Sequence, residues 1–419
     1  MTESPTPGPR PAAPRAAFDR GPIVAFYEAT QACDLVCTHC RACAQPKRSA
    51  RELSAGESKL LLEDLRRFAV PPLVVLTGGD PMKRPDIFDL VAHGTGIGLS
   101  MAMTPSATPL VTRQALRRLA ECGLARLAVS IDGAGAASHD GLRGVPGSFA
   151  RSLEILRDAR EYGLSLQVNT TVHSGNAGEL SQLAALLDGY SIALWSVFFL
   201  VPVGRAAADA RIRPAEYETI FALLERESAW HKYAIKTTEA PHYRRFVMQK
   251  HEKKTAAGAA APGDGLDRSI PAMSPSSTMS FMSAPGMAGT NDGNGVVFIG
   301  HTGLIHPSGF LPLACGRFPE RSVVDVYQQH GLMKALRDCD HFAGKCGVCD
   351  YRHVCGGSRA RSFALTGDAF GSDPDCVYQP PAWKQMRAAT LAAARAASAN
   401  EAPPSAPPFD EPSPPTGRP

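Results

Sequence analysis

The 419-residue chain is 44% hydrophobic and 20% charged, enough apolar content for a packed core in one large domain and a smaller one. A formal net charge of +4 is too mild to argue for a nucleic-acid surface, no apolar run is long enough to span a bilayer, and the N-terminal stretch has no apolar secretory segment. Eleven cysteines without such a segment favour metal ligation over disulfides and a reducing, cytoplasmic setting.

Residues 1–21 are rich in Pro and Ala and read as a disordered arm. Over residues 22–250, short apolar runs alternate with amphipathic helical patterns. The strands expected are Ile23–Tyr27, Leu73–Thr77, Leu99–Met103, Leu127–Ile131, Leu166–Thr171 and Leu194–Val201. Helices are expected near 57–68, 85–93, 113–121, 149–162, 179–188 and 215–228, the first opened by a capping box of Ser54 and Glu57. Such alternation predicts parallel βα units, hence an α/β fold: a partial (β/α)6 TIM-like barrel with functional residues at the C-terminal ends of its strands. Residues 251–295 turn to Ala, Gly, Ser, Met and Pro without periodicity and read as a flexible insertion. A compact cysteine-rich module follows at 296–380, opened by a hairpin of Val296–Ile299 and Leu304–His306. Residues 381–419 read as a helix over Trp383–Ser398 and a disordered tail.

Between the first strand and the first helix lie Cys33, Cys37 and Cys40, separated by three and then two residues. Three thiolates can hold a cubane iron–sulfur cluster and leave one iron open for a ligand. A zinc site completed by His39 or Cys43 is the plainer alternative. Four cysteines recur late in the chain: Cys346, Cys349, Cys355 and Cys376. These can enclose a second cubane fully, or equally form a four-cysteine zinc ribbon. Cys315, Cys339 and Cys122 read as structural thiols.

The early triad is the signature of the radical S-adenosylmethionine (SAM) superfamily, which the chain resembles from about Pro22 onward. The resemblance implies a 4Fe–4S cluster on Cys33, Cys37 and Cys40, with SAM chelating the open iron. One electron then cleaves SAM to a 5′-deoxyadenosyl radical, which abstracts a substrate hydrogen. His39 fits the slot where a ring packs near the adenine. Gly78, Gly79, Asp80 and Pro81 resemble the loop that binds the methionine amino group, with Asp80 where Glu is usual. Ser106 stands in the third-strand segment, and Ser130 and Asp132 end the fourth strand. Arg143 resembles the residue that pairs with the SAM carboxylate, and Asn169 a position that contacts the methionyl part. Val201–Arg205 resembles the adenine-contacting segment.

The late cysteines resemble a shortened SPASM domain, implying one auxiliary 4Fe–4S cluster on Cys346, Cys349, Cys355 and Cys376. Arg359 occupies the place of a further ligand in the full pattern. The segments from Cys355 to Asp368 and Asp373 to Cys376 resemble enzymes of alternative heme and d1-type heme synthesis, which act on porphyrin propionates. Arg359 and Arg361 suit substrate carboxylates, and structural ion pairs equally. His301 and His306 are placed near an iron porphyrin or in solvated loops. A rival function is maturation of a ribosomally made peptide, weakened by the short stretch ahead of the first strand. A non-catalytic zinc scaffold is the third. The expected partners are a low-potential donor such as flavodoxin or ferredoxin and a small-molecule or peptide substrate, with neither nucleic acid nor membrane. The adenosyl radical is the expected hydrogen abstractor, and no side chain is assigned as acid or base.

Overall fold

A computed structural model describes residues 18–256 and 289–400. Residues 1–17 of the expected disordered arm, 257–288 of the 251–295 insertion and 401–419 of the tail lie outside the described residues; within the described part Phe18–Arg20 form a short 3-10 helix and residues 251–256 continue a helix, correcting both expectations there. In chain order the first half holds β1 (Val24–Thr30), α1 (Ala55–Arg66), β2 (Leu73–Gly78), α2 (Ile87–Gly96), β3 (Ser100–Met103), α3 (Arg113–Glu121), β4 (Arg126–Ser130), α4 (Ala136–Arg143), α5 (Ser148–Glu161) and β5 (Leu166–Val172). It continues with α6 (Leu180–Leu187), β6 (Leu194–Phe199), α7 (Pro214–Trp230), β7 (Ala234–Thr238) and α8 (His242–Ala256). After the undescribed segment come β8 (Val296–Ile299), β9 (Leu304–His306), β10 (Gly316–Arg317), α9 (Val323–Gln329), α10 (Gly331–Arg337), α11 (Gly344–Gly347), α12 (Arg359–Thr366) and α13 (Pro381–Asn400).

All six expected strands form, and β1 to β7 pair in parallel, each with the next, to make a partial barrel wound by helices. The sequence reading missed β7, which extends the six-stranded count by one, and α4, which ends on the expected site residue Arg143. The late hairpin forms as expected, but it is not a separate sheet: β8 pairs in parallel with β1, and β9 and β10 continue antiparallel beyond it. One ten-stranded sheet therefore runs through both halves of the chain.

Strand alternation sorts the side chains into two layers. Tyr27, Leu76, Met103, Val129, Val168 and Trp195 point outward into the core shared with the helices. Each such buried side chain contributes roughly 1.5–3 kcal/mol. Alternate residues, among them Phe26, Thr77, Asn169, Phe198, Lys236 and Phe298, face inward on a cavity of about 1130 Å³. The Ser54–Glu57 capping box is present, with Ser54 N–H donating to Glu57 Oε2 at 2.8 Å and Glu57 N–H to Ser54 Oγ at 3.2 Å. None of the helices among the described residues is long and apolar enough to cross a membrane.

Candidate active site

Beyond β1 the backbone turns into the loop carrying Cys33, Cys37 and Cys40, where Cys33 and Cys37 are buried with Leu35 and Ala44. The Leu35 and Ala44 amides donate to the Cys33 and Cys40 sulfurs at 3.4 Å each, and Ser106 Oγ lies 3.3 Å from the Cys33 sulfur. Burial raises the Cys33 and Cys37 thiols, which metal ligation would reverse. Three sulfurs on one loop with amide donors turned toward them make the donor set a cubane takes, so the residues fit the cluster.

The loop after β2 seals this one from the side. Gly79 N–H donates to the Thr30 carbonyl at 2.9 Å and Asp80 N–H to the Ala32 carbonyl at 2.7 Å. A Cβ on Gly79 would lie 2.3 Å from the Ala32 carbonyl oxygen, so glycine is required by close packing of the two loops. Gly79→Ala is expected to destabilise the protein by about 1–3 kcal/mol, the range of overpacking. Urea unfolding tests this, and an unchanged midpoint would refute the packing account. Asp80 is fully buried and turned into the loop, accepting from Thr108 Oγ1 at 2.7 Å, Met82 N–H at 3.1 Å and Ser106 N–H at 3.3 Å. It thus ties the Pro81–Lys83 turn to the segment after β3, and burial raises its carboxyl above the usual range.

At the end of β4, Ser130 faces the barrel and Asp132 is fully buried. Asp132 accepts from Arg143 Nε at 2.7 Å and from the Thr171 amide at 2.7 Å. Burial pushes its carboxyl up, but Arg143, with the neighbouring histidines, outweighs this and holds it below the ordinary carboxylate range. Arg143 also reaches the Cys37 sulfur at 3.8 Å. Gly144, at φ 72°, ends α4 against the cysteine loop, and its Cβ would meet Val36 Cγ2 at 2.6 Å. The Arg143 guanidinium is thereby set between Asp132 and the cysteines. His39 is half-buried beside this pair, and burial followed by the Arg143 charge lowers its pKa to about 4, leaving a neutral ring. Asn169, on β5, accepts from Gln167 Nε2 at 2.7 Å and lines the cavity. Arg205, after β6, braces the cysteine loop through the Cys37 and Ala44 carbonyls at 3.0 and 3.1 Å.

His139, on α4, accepts the Asp132 N–H at Nδ1 over 3.0 Å. Burial, ahead of the surrounding charges, lowers its pKa from 6.5 to about 4. The unfolded chain takes up this proton near 6.5 and the folded chain only near 4, so stability falls as pH drops through that window. The loss from this group is at most about 3 kcal/mol. His139→Gln, which keeps an acceptor, should remove that part of the acid dependence of urea midpoints. An unaltered pH slope would show that His139 does not supply it.

Cys346, Cys349, Cys355 and Cys376 line one small cavity together with His242, Arg245 and Lys345. Gly357 N–H donates to the Cys355 sulfur and Asp373 N–H to the Cys346 sulfur, at 3.3 Å each. Four converging thiols with amide donors fit a fully ligated cluster. Arg359 is fully buried beside them, donating to the Cys346 sulfur at 3.5 Å and to the Gly371 carbonyl at 2.7 Å. Arg361 is likewise buried, held by Asp373 at 2.7 Å. Neither guanidinium is open to a substrate, so the structural reading of both holds. His301 sits on Glu28 at 2.6 Å, not in a solvated loop, and His306 is half-buried with Nδ1 unpartnered. Cys315 is buried in the main core, its thiol pushed up to about 11 by burial. Sequence reasoning, which read Cys339 as a structural thiol, missed its grouping with the adjacent Asp340 and with His353, 3.2 Å away and 14 positions on, since that spacing matches no motif. It also missed the charged groups lining the large cavity.

A parallel partial barrel with three cysteines at the end of its first strand, joined to a four-cysteine module, defines a radical SAM iron–sulfur enzyme. Residues 27–187 match the family model of the radical SAM superfamily. The chain is 34% identical over 367 residues to the AdoMet-dependent heme synthase of Methanosarcina barkeri, covering 87% of this chain and 99% of that one. It is 35% identical to the enzyme of that name from Nitratidesulfovibrio vulgaris, covering 88% and 96%. The crystal structure of Streptococcus suis SuiB bound to precursor peptide SuiA shares the fold, with TM-score 0.63 at 16% identity over 85% of this chain and 76% of SuiB. The chain belongs to the radical SAM superfamily and is closely related to the AdoMet-dependent heme synthases.

Proposed function

We propose that this enzyme modifies propionate side chains of an iron tetrapyrrole. The observation that carries the reading is the 1130 Å³ cavity inside the barrel, larger than the roughly 300–1,000 Å³ of ordinary small-molecule sites. Its walls present Phe26, Phe198, Phe298 and Phe310, flat apolar surfaces suited to a planar macrocycle. The names of the related heme synthases agree with that ligand.

On this reading Cys33, Cys37 and Cys40 hold a SAM-binding 4Fe–4S cluster, and Cys346, Cys349, Cys355 and Cys376 an auxiliary one. When bound, the first cluster supplies the electron that cleaves SAM to the 5′-deoxyadenosyl radical. Asp80, with Gly78, Gly79 and Pro81, shapes the loop beside SAM. Asp132 fixes the Arg143 charge next to Cys37, and Asn169 marks where the SAM site meets the cavity.

The test is anaerobic: the reconstituted enzyme, SAM and a low-potential donor are incubated with iron coproporphyrin, and 5′-deoxyadenosine is followed with the mass of the tetrapyrrole. Formation of 5′-deoxyadenosine in step with a change in porphyrin mass is expected. Cleavage of SAM that ignores the porphyrin would overturn the reading, and stimulation by a short peptide instead would assign peptide maturation.

A further inference from the structure

The inward layer of the barrel carries positive charge to which the described residues bring no paired carboxylate. Lys236, on β7, faces the cavity and pairs with no carboxylate among the described residues. Burial first, and then the positive charges of Arg126 and Arg244, lower its pKa to about 8. Arg126 belongs to β4, its Nη1 buried without a partner. Among the described residues Arg244, on α8, donates to the carbonyls of Val354 and Thr290, at 3.1 and 3.0 Å, and to no carboxylate.

The acidic groups around the same cavity do not answer this charge. Glu225 is taken by Lys250, and Glu252 accepts from Tyr351 at 3.1 Å. Glu239, which takes the Ser358 hydroxyl, is pushed up to about 8 by burial and by Asp292, so it is largely protonated at neutral pH. Arg41, another cation of the cavity wall, is paired with Glu28 at 2.9 Å. Lys236, Arg126 and Arg244 are each half-buried, and positive charge partly withdrawn from water gains from a ligand that supplies counter-charge.

We propose that Lys236 and Arg244 form a recognition site for carboxylates of the substrate that are not being modified. The ligand class is a polycarboxylate whose apolar body lies against the phenylalanines while its acid groups meet these two cations. Arg126 adds to the same positive field from the β4 side. The inference rests on the tetrapyrrole reading for the identity of the body, and not for the acid groups.

The test titrates the full-length, anaerobically reconstituted protein with iron coproporphyrin, with its tetramethyl ester, and with benzenehexacarboxylate as a polycarboxylate that is no tetrapyrrole. Soret absorbance follows the first two, and the NMR signal of 13C-methylated Lys236 follows the third. The free acid is expected to bind at least about tenfold more weakly to Lys236→Met and to Arg244→Gln, a change of about 1.4 kcal/mol. The ester should bind weakly and ignore both substitutions, and Lys236→Arg should restore binding of the acid. Iron content confirms that each variant has folded. Equal binding of acid and ester, or variants that bind the acid as the parent does, overturns the carboxylate site and leaves the tetrapyrrole reading standing. If neither porphyrin binds but benzenehexacarboxylate raises the Lys236 pKa, the tetrapyrrole reading falls and the carboxylate site survives. No response to any of the three refutes both.

Discussion

Cys37→Ala is expected to abolish SAM cleavage and to lower iron from about eight to about four per chain, as loss of one of two cubanes requires. The residue is buried in the loop after β1, with the Arg143 guanidinium 3.8 Å from its sulfur. Substituting an outer-shell partner of a metal site costs about 10–100-fold, and loss of a ligand should exceed that. The Asp132–Arg143 pair should survive, so the barrel should unfold at nearly the parental urea concentration. Iron and sulfide counts with chromatographic 5′-deoxyadenosine measure the effect. Full iron and retained cleavage would remove Cys37 from the ligand set.

The second large effect is expected at Asp373. Its carboxylate takes Arg361 Nε at 3.0 Å and Nη2 at 2.7 Å, together with the Ser358 amide at 2.9 Å, and both side chains are inaccessible to solvent. Burial disfavours the charge, but Arg361 outweighs it and holds the carboxyl far below its usual range. Removing one member of a buried pair leaves the other uncompensated, at a cost of about 3–5 kcal/mol. Asp373→Ala should lose that much in urea unfolding. The carboxylate also pins the loop whose Asp373 backbone amide donates to the Cys346 sulfur, so once that loop shifts iron should fall toward about four while the cysteines after β1 keep theirs. Parental stability would mean that Asp375, 3.3 Å from Arg361, compensates in full.

The parts of the fold legible in sequence are those with strong periodicity. The six strands from β1 to β6 carry apolar runs, because they are buried on their outer faces by helices. β7 has the sequence Ala-Ile-Lys-Thr-Thr, short and half polar, because its inward residues border a cavity instead of a core. α4 escaped because glycines flank it and it has one buried residue, His139, so no apolar stripe marks it. Spacing alone grouped the cysteines, and the structure places Cys33, Cys37 and Cys40 on one loop and Cys346, Cys349, Cys355 and Cys376 around one cavity. The burial of Arg359 and Arg361 was not, since it depends on Asp373 and on carbonyls of Ala369 and Gly371, contacts made only once the loop after α12 folds back. Lys236 and Arg244 gave no pattern either, lying on a strand and a helix whose meeting is a matter of tertiary structure.

The register of β8 against β1, from Val24 opposite Val296 to Tyr27 opposite Ile299, bears on how this protein can be dissected. A barrel expressed alone would end before β8 and leave β1 as an open edge, its backbone N–H and C=O groups free to recruit a strand from another molecule. The cysteine-rich half is therefore an integral continuation of the barrel's hydrogen-bonded frame and not a detachable accessory. Truncates made to isolate one cluster are poor reporters of it, whereas single cysteine substitutions keep the frame whole.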